Sequence, residues 1–416
     1  MNIHVEKAPH PLLKKRNQKE FVEKLQRQME QKGIDALLVY KPEHLYYATG
    51  YQPKISEIAG YVGINLAVVP AKGDATLIVT TLELEAAMSI TSDDVQVISY
   101  PSWVFIDDGT EASRKSPSAA EIDAFTGLRK AAEVIKGIPG FRTLGTEINF
   151  VTVPHWEALC KLFGRENLVD SSEVFTRSRM IKTKWEIDML RLAAKHNERT
   201  MYRVAQAVKP GMMCAEIDHL MNLYGYEEDR EFTADLNLFA TEAAGPYFGL
   251  SGIARGYKIQ EGDIVRFDGG FRHLGYVSDL ARCFSVGQPE PEAEEIYSVL
   301  VESFHRGIAL LKPGTVMKDI YHTMVDCVTA SKVLPFYPRG HMGHSVGMNK
   351  GLEEYPQVSP SMEEVLVPNM VVCVEAPVWT TGRSSHFGAF SIEDTFVITE
   401  DGCERFTHGN ESLIWK

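Results

Sequence analysis

Four carboxylates and one histidine in the C-terminal part of the chain constrain its fold more than any other feature. Each lies in a strand-like or glycine-flanked segment, where a charged carboxylate is unfavourable unless it is paired or bound to a metal. Imidazole and carboxylate groups together are typical ligands of Mn, Fe, Co or Zn. A paired site of this kind lowers the pKa of a bridging water and polarises a carbonyl oxygen. The candidate ligands are Asp268, Asp279, His344, Glu375 and Glu393.

Taken one at a time, these residues also fit structural roles. A buried aspartate is often a turn or cap residue, but neither Asp268 nor Asp279 stands at a predicted helix start, and both are placed mid-strand. Glu375 follows four apolar residues, which disfavours a solvated face. Glu393 alternates with apolar neighbours and alone fits a surface position, while His344 lies in the glycine-rich segment GHMGHSVG. As an ordered set, the five residues predict a site for two divalent cations.

The bulk properties exclude several classes of protein. The chain has 416 residues and a net charge of −13, without a long basic run, which argues against a nucleic-acid partner. It contains no apolar run long enough for a membrane helix and no apolar core of a signal peptide near its start. Six cysteines without a CxxC pair predict reduced, buried thiols. These features predict a cytoplasmic protein.

The N-terminal part of the chain alternates between helical and strand patterns. Apolar residues at helical spacing predict a helix over 18–32, which Gly33 ends. Strands that alternate with helices predict an α/β domain over residues 1–172. The polar segment 106–121 is predicted to be a long loop or lid. The predicted strands of this domain include residues 34–40, 61–70 and 74–80.

The remaining residues, 173–416, predict an α+β domain. A long amphipathic helix over 182–208 opens it and ends at a Lys-Pro-Gly sequence, and a second such sequence follows a later helix. The two helices indicate an internal duplication. Two strands are predicted to be joined by a turn at Arg272–Leu274. The other predicted helices cover residues 215–224, 291–311 and 316–332, and the strands cover 263–271, 275–286, 370–379 and 390–399.

The ordered pattern resembles the pita-bread metallopeptidases, a family that includes methionine aminopeptidase, aminopeptidase P, prolidase and the related creatinase. The shared features are two aspartates eleven residues apart, a GH-x-x-G histidine, a glutamate after an apolar strand, and an I-E-D-x strand. The segment GYVSDLAR is similar to the family hairpin GY-x-SD-x-TR. The resemblance implies a creatinase-like N-terminal domain over 1–172 and a pita-bread catalytic domain over 173–416.

The resemblance also implies roles for the ligands. Asp268 would chelate one metal ion, Asp279 and Glu393 would bridge both ions, and His344 and Glu375 would complete the other. The expected enzyme is a dinuclear metal-dependent hydrolase of small C–N amide substrates, of the Xaa-Pro aminopeptidase or dipeptidase type. Its expected partners are a small molecule or short peptide and a second copy of the chain in a homodimer.

Several groups that family peptidases carry around the metals are missing. Three family histidines and one arginine correspond here to Ser251, Gly340, Gly351 and Ser391. Loss of general acid–base groups should lower peptide hydrolysis about 10²–10⁴-fold unless other residues replace them. The candidate catalytic residues are Glu375, which also acts as proton acceptor, His341, Glu353 and His386, with Glu354 a further candidate. The candidate substrate-binding residues are Tyr247, Arg383 and Trp103, the last reaching across the dimer.

Two alternatives stay open at this point. The first is a non-peptidase metalloenzyme on the same fold, such as a small-amide hydrolase or a lyase similar to dimethylsulfoniopropionate lyases. Those lyases have an Asp-x-Asp pattern, whose second Asp corresponds here to Gly270. The second alternative is a non-catalytic binding protein, which the retained carboxylate cluster disfavours because it would repel itself without cations. Creatine hydrolysis is disfavoured because creatinase lacks these ligands.

Overall fold

The chain is represented by a computed structural model, which describes residues 7, 9–104, 106, 111, 125–240, 242–249, 255–349 and 353–413. It divides into two compact units, Met1–Arg179 and Met180–Lys416. The α/β character of the first unit and the α+β character of the second confirm the predicted fold class. The boundary between residues 172 and 173 stays a prediction, and most of the predicted lid at 106–121 lies outside the described residues.

A six-stranded mixed sheet forms the centre of the first unit. Its strands are β1 (Ala36–Val39), β2 (Leu66–Pro70), β3 (Ala75–Thr80), β4 (Val95–Tyr100), β5 (Leu144–Thr146) and β6 (Leu168–Asp170). The strand order is β4-β3-β2-β1-β5-β6, and β2 runs antiparallel to both of its neighbours. All residues of β1 and β3 are buried, as expected for strands with continuous apolar runs between covering helices.

The helices of the first unit begin and end where local sequence signals place them. The predicted helix over 18–32 is confirmed, because Gly33 adopts φ +64°, the left-handed conformation that glycine tolerates best. A short 3₁₀ helix covers Arg165–Asn167. The α-helices are α1 (Pro11–Lys14), α2 (Gln18–Lys32), α3 (Pro42–Thr49), α4 (Lys54–Ala59), α5 (Leu84–Ile90), α6 (Thr126–Lys136), α7 (Val153–Phe163) and α8 (Ser172–Met180).

A ten-stranded sheet dominates the second unit. Its strands are β7 (Ala234–Ala240), β8 (Ala243–Ala244), β9 (Ile264–His273), β10 (Tyr276–Val277), β11 (Leu280–Ser285), β12 (Gly343–Ser345), β13 (Glu354–Gln357), β14 (Val371–Glu375), β17 (Glu393–Ile398) and β18 (Cys403–Arg405). The main path is β10-β9-β11-β17-β14-β12-β13, with β7 and β8 on β9 and β18 on β17. A separate ribbon pairs β15 (Val378–Trp379) with β16 (Ala389–Phe390).

Within the described residues of the second unit, four α-helices accompany this sheet. They are α9 (Lys184–Ala207), α10 (Cys214–Glu228), α11 (Pro291–Ile308) and α12 (Met317–Thr329). A capping box fixes the start of α9, in which the Thr183 hydroxyl accepts from the Glu186 N–H and the Glu186 carboxylate accepts from the Thr183 N–H. Helix α10 is longer than predicted because Gly225 does not end it. A Cβ at Gly225 would lie 2.6 Å from the Phe271 ring, so this glycine permits close packing within the helix.

The hairpin between β9 and β10 differs from the sequence prediction. Its turn is Leu274–Gly275 rather than Arg272–Leu274, and both residues have positive φ, 46° and 86°. Two such residues form the tight turn that matches strand twist. The predicted single strand over 275–286 is interrupted, because the Ser278 hydroxyl accepts a 3.0 Å hydrogen bond from the Phe271 N–H. Asp279 therefore precedes β11 instead of lying mid-strand.

A seam divides the ten-stranded sheet between β11 and β17. Ala281 and Glu393 are the one register pair that joins these two strands. The fully buried guanidinium of Arg282 reinforces the seam: its Nη1 donates to the carbonyl oxygens of Ala281, 2.8 Å, and Glu393, 2.7 Å. Its Nη2 donates to Oδ2 of Asp394 over 2.7 Å. This side chain therefore links the two halves of the sheet.

All six cysteines are free thiols, with Cys160 and Cys403 only partly buried. Within the described parts of the chain, no helix combines the length and apolarity needed to cross a membrane.

Candidate metal centre

The predicted ligands converge on one face of the second unit's sheet. Directly opposed residues of antiparallel strands share a face. Ala281 is opposite both Asp268 and Glu393, and Glu393 is opposite Glu375. Four neighbouring strand positions therefore bring three of the five predicted ligands together across the seam.

Asp279, His344 and Glu393 form a buried triad beside them. Nε2 of His344 lies 3.4 Å from Oδ2 of Asp279 and 3.7 Å from Oε1 of Glu393. One ligand atom from each of the three residues lies within 4.8 Å of the other two. The carbonyl oxygen of Ser345, 3.0 Å from Nδ1 of His344, can only accept, so Nδ1 carries the proton. Nε2 therefore presents its lone pair to the centre of the triad.

The carboxylates of the triad fit a divalent cation. Oδ1 of Asp279 and Oε1 of Glu393 are buried and have no hydrogen-bond partner among the described residues. Burial raises the pKa of both side chains well above the ordinary value; repulsion from Asp268 and Glu375 raises the pKa of Asp279 further, and repulsion from Asp279 raises that of Glu393. A bound cation would offset both the burial and the repulsion. The donor set of one imidazole nitrogen and two carboxylates suits the first-row metals named above.

The other two carboxylates have arginine partners that sequence reasoning missed. Arg266, two residues before Asp268 in β9, donates from Nη2 to Oδ2 of Asp268. Arg339 donates from Nη2 to Oε1 of Glu375 over 2.9 Å. Burial acts to raise the pKa of Glu375, but the His341 hydrogen bond and the Arg339 charge lower it to about 2. A charged residue within the apolar run of β9 was a signal for Arg266, whereas Arg339 carried no comparable one.

Two predicted catalytic residues lie beside Glu375. Nδ1 of His341 is 3.1 Å from Oε1 of Glu375, and Nε2 of His341 is 3.6 Å from Oε1 of Glu353. The Glu353 side chain is 47% exposed, whereas that of Glu375 is buried. The three residues therefore form a chain of titratable groups from the buried cluster to solvent.

Glu354 shapes the loop after His344 instead of entering the cluster. Its Oε1 accepts from the backbone N–H groups of Met348, 2.7 Å, and Asn349, 3.0 Å. The buried Lys182 ammonium lies 3.8 Å from Oε2 of Glu354 and donates to the Ser345 hydroxyl over 2.9 Å. These contacts fix the segment that directly follows the metal-facing histidine.

Three other predicted site residues have partners elsewhere. Nδ1 of His386 lies 2.9 Å from Oδ1 of Asp263, and Arg383 pairs with Glu292. The Tyr247 ring packs edge-on against that of a neighbouring tyrosine. Among the described residues, none of these side chains forms a hydrogen bond, ion pair or ring contact with the five predicted ligands.

The other positions that the sequence pattern singles out are Trp103, Ser391, Gly340, Ser251 and Gly351. Trp103 belongs to the first unit and is 38% exposed. Ser391 is fully buried, and Gly340 adjoins His341 in the chain. Ser251 and Gly351 lie outside the described residues.

In the chain order, an α/β unit precedes the α+β unit that carries the buried imidazole–carboxylate triad, a combination typical of a metal-dependent hydrolase. Residues 188–400 match the model of metallopeptidase family M24, and residues 22–181 match that of the Creatinase/Prolidase N-terminal domain. The chain belongs to metallopeptidase family M24, which confirms the predicted pita-bread resemblance.

Relatives of known name cover nearly the whole chain. An uncharacterized peptidase, YqhT, of Bacillus subtilis is 28% identical over 397 residues, which are 94% of this chain and 99% of the relative. A Xaa-Pro dipeptidase of Pyrococcus horikoshii is 26% identical over 405 residues, 95% of this chain and 99% of the relative. The structure of a Xaa-Pro dipeptidase from Bacillus anthracis superposes with a TM-score of 0.78 at 22% identity, covering 96% and 99% of the two chains. This last likeness shows the fold.

Proposed function

We propose that the chain hydrolyses the amide bond before proline in short Xaa-Pro peptides, with a divalent metal ion in the Asp279–His344–Glu393 triad. Two buried carboxylate oxygens of this triad carry the proposal, because they accept no hydrogen bond within the described part of the chain and a cation would satisfy both. The Xaa-Pro dipeptidase among the full-length relatives supports the substrate class. The proposed substrate is a short peptide, and we also propose that the chain forms a homodimer.

The surrounding side chains divide the chemical work. A divalent ion, when bound, supplies a Lewis acid for the amide carbonyl and activates water. Arg339 and His341 hold Oε1 of Glu375, so we assign Oε2 as the atom that accepts a proton. The same oxygen then returns the proton to the nitrogen of the leaving amine. His341, which lies between Glu375 and the exposed Glu353, takes the place of the missing family histidines by holding Glu375 in position.

The proposed reaction does not depend on how many metal ions the site binds. The sequence pattern implies two divalent cations, of which the triad accommodates one. A second ion would require Asp268 and Glu375, the two carboxylates that contact arginines. The donor set suits Mn, Fe, Co and Zn alike.

The hairpin argues against the lyase pattern. A Cβ at Gly270 would lie 1.7 Å from the carbonyl oxygen of Ser278. No side chain fits at this position without a rearrangement of the backbone, so the second aspartate of an Asp-x-Asp pattern has no place here.

The proposal is tested by incubating chelator-stripped protein, reloaded separately with Mn, Co, Zn or Fe, with a Xaa-Pro dipeptide and a longer Xaa-Pro peptide. Released amino acids are measured by mass spectrometry, and a Xaa-Ala dipeptide reports specificity. We expect release of proline from the dipeptide by wild type and none by His344→Gln. His322→Gln is the matched control, because His322 is exposed, where its ring contacts Tyr321 and its Nε2 lies 3.2 Å from the Pro360 carbonyl oxygen. Failure of wild type to cleave either Xaa-Pro peptide with any of these metals would refute the proposal.

A further inference from the structure

We infer that the metal centre holds one divalent cation, in the Asp279–His344–Glu393 triad, and that Arg266 and Arg339 replace a second one. The inference rests on the proposed function only in taking the triad as a metal site. The two guanidinium groups contact the predicted ligands that lie outside the triad.

Arg266 is fixed against Asp268 by the strand that carries both. Alternate residues of a strand share a face, so Arg266 and Asp268 lie side by side in β9. The Arg266 residue is only 5% exposed, which prevents the guanidinium from turning out to solvent. A cation bound by Asp268 at the same oxygen would compete with this guanidinium for the carboxylate, and breaking a buried ion pair is strongly unfavourable.

Arg339 has the same relation to Glu375. Its Nη2 donates to Oε1 of Glu375, and its guanidinium carbon lies 5.5 Å from the centre of the Trp379 ring. His341 contacts the same carboxylate oxygen at 3.1 Å. One carboxylate oxygen of Glu375 is therefore already engaged by a cation and an imidazole.

The carboxylates of the triad have no arginine partner of this kind among the described residues. Among the ion pairs of the described residues, Asp279 and Glu393 pair only with His344. With all four carboxylates ionised, the two guanidinium groups leave two negative charges in the cluster, which one divalent cation neutralises. A second divalent cation would add two positive charges to a buried site that offers no further buried carboxylate in contact with it.

Metal stoichiometry tests the inference on the full-length protein. Chelator-stripped wild type is titrated with Mn²⁺, and bound metal is counted by calorimetry and by elemental analysis after gel filtration. We expect one Mn²⁺ per chain and the electron paramagnetic resonance spectrum of an isolated ion. Two tightly bound ions per chain with a spin-coupled spectrum would overturn the inference while leaving the proposed function intact. No bound ion would overturn both.

Removing both guanidinium groups should restore the second position. In Arg266→Met/Arg339→Met, Asp268 and Glu375 both lose these cations, and we expect binding to rise from one to two Mn²⁺ per chain. Arg306→Met is the matched control, because Arg306 is an exposed residue paired with Glu302, and it should still bind one. A folded double variant that binds one ion would refute the role of the two arginines. If the double variant does not fold, the wild-type count decides the matter.

Discussion

A buried pair of histidines in the second unit predicts a pH-dependent stability. Nδ1 of His196 lies 2.6 Å from Nε2 of His273, and Nε2 of His196 lies 2.8 Å from the Gly225 carbonyl oxygen. The carbonyl can only accept, so Nε2 of His196 carries a proton and its Nδ1 accepts one from His273. Nδ1 of His273 then accepts from the Thr233 hydroxyl, 2.7 Å away. Every ring nitrogen is satisfied when both rings are neutral.

The size of the expected loss in the free energy of unfolding follows from the pKa of His273. Burial and the neighbouring His196 lower it from 6.5 to about 4, with Asp229 opposing the change and Arg199 adding to it. Between these two values the unfolded chain binds a proton that the folded chain does not. The folded state therefore loses stability as the pH falls through this interval. A span from 6.5 to about 4 corresponds to about 3 kcal/mol.

His273→Gln removes the titrating ring while keeping an amide that can donate to His196. The free energy of unfolding is measured by urea denaturation at about pH 7, about 5.5 and about 4, with chelator present so that metal loss does not contribute. We expect wild type to lose about 3 kcal/mol more than the variant over this range. His322→Gln, in an exposed position, should follow wild type. Parallel pH curves for wild type and His273→Gln would refute the reasoning.

Three further predictions concern other parts of the second unit. Arg282→Met should lower the free energy of unfolding by about 3–5 kcal/mol, because it leaves the Asp394 carboxylate buried without this cation, whereas urea denaturation of Arg306→Met should show a change of about 0.5 kcal/mol or less. Burial raises the pKa of Cys214 to about 12, so mass spectrometry should find it unmodified by iodoacetamide in folded protein and modified after unfolding. Glu354→Ala should weaken Mn²⁺ binding about 10–100-fold in a titration, because the loop after the metal-facing histidine loses its anchor. Unchanged affinity would contradict that last prediction.

Local signals in the sequence were sufficient for much of the fold. The end of α2 at Gly33 was predictable because a glycine after an amphipathic run commonly takes the left-handed conformation. Gly225 misled for the opposite reason: its role is to admit the Phe271 ring, which only the tertiary structure reveals. The position of the hairpin turn was predicted wrongly because Leu274 adopts a positive φ, which is uncommon for leucine and cannot be foreseen from the residue type.

The predicted ligands of the candidate site could be found from the sequence, but the side chains that surround them could not. Strand patterns placed Asp268, Glu375 and Glu393 on buried strands, and the register then aligned them. The groups beside them depend on loops and on side-chain reach, which no spacing rule encodes. Proximity in sequence to a strand did not bring His386 to the five ligands, whereas Arg339 reaches Glu375 from a loop.

The seam between β11 and β17 has a mechanical consequence. Of the two aspartates and two glutamates around the centre, the aspartates belong to one side of the seam and the glutamates to the other. With a single backbone register pair at this junction, a cation bound by Asp279 and Glu393, as proposed, would cross-link the two halves of the sheet. Local opening of the metal-free protein should therefore occur mainly along the seam between β11 and β17. Amide hydrogen exchange should be faster at this seam than within either half of the sheet.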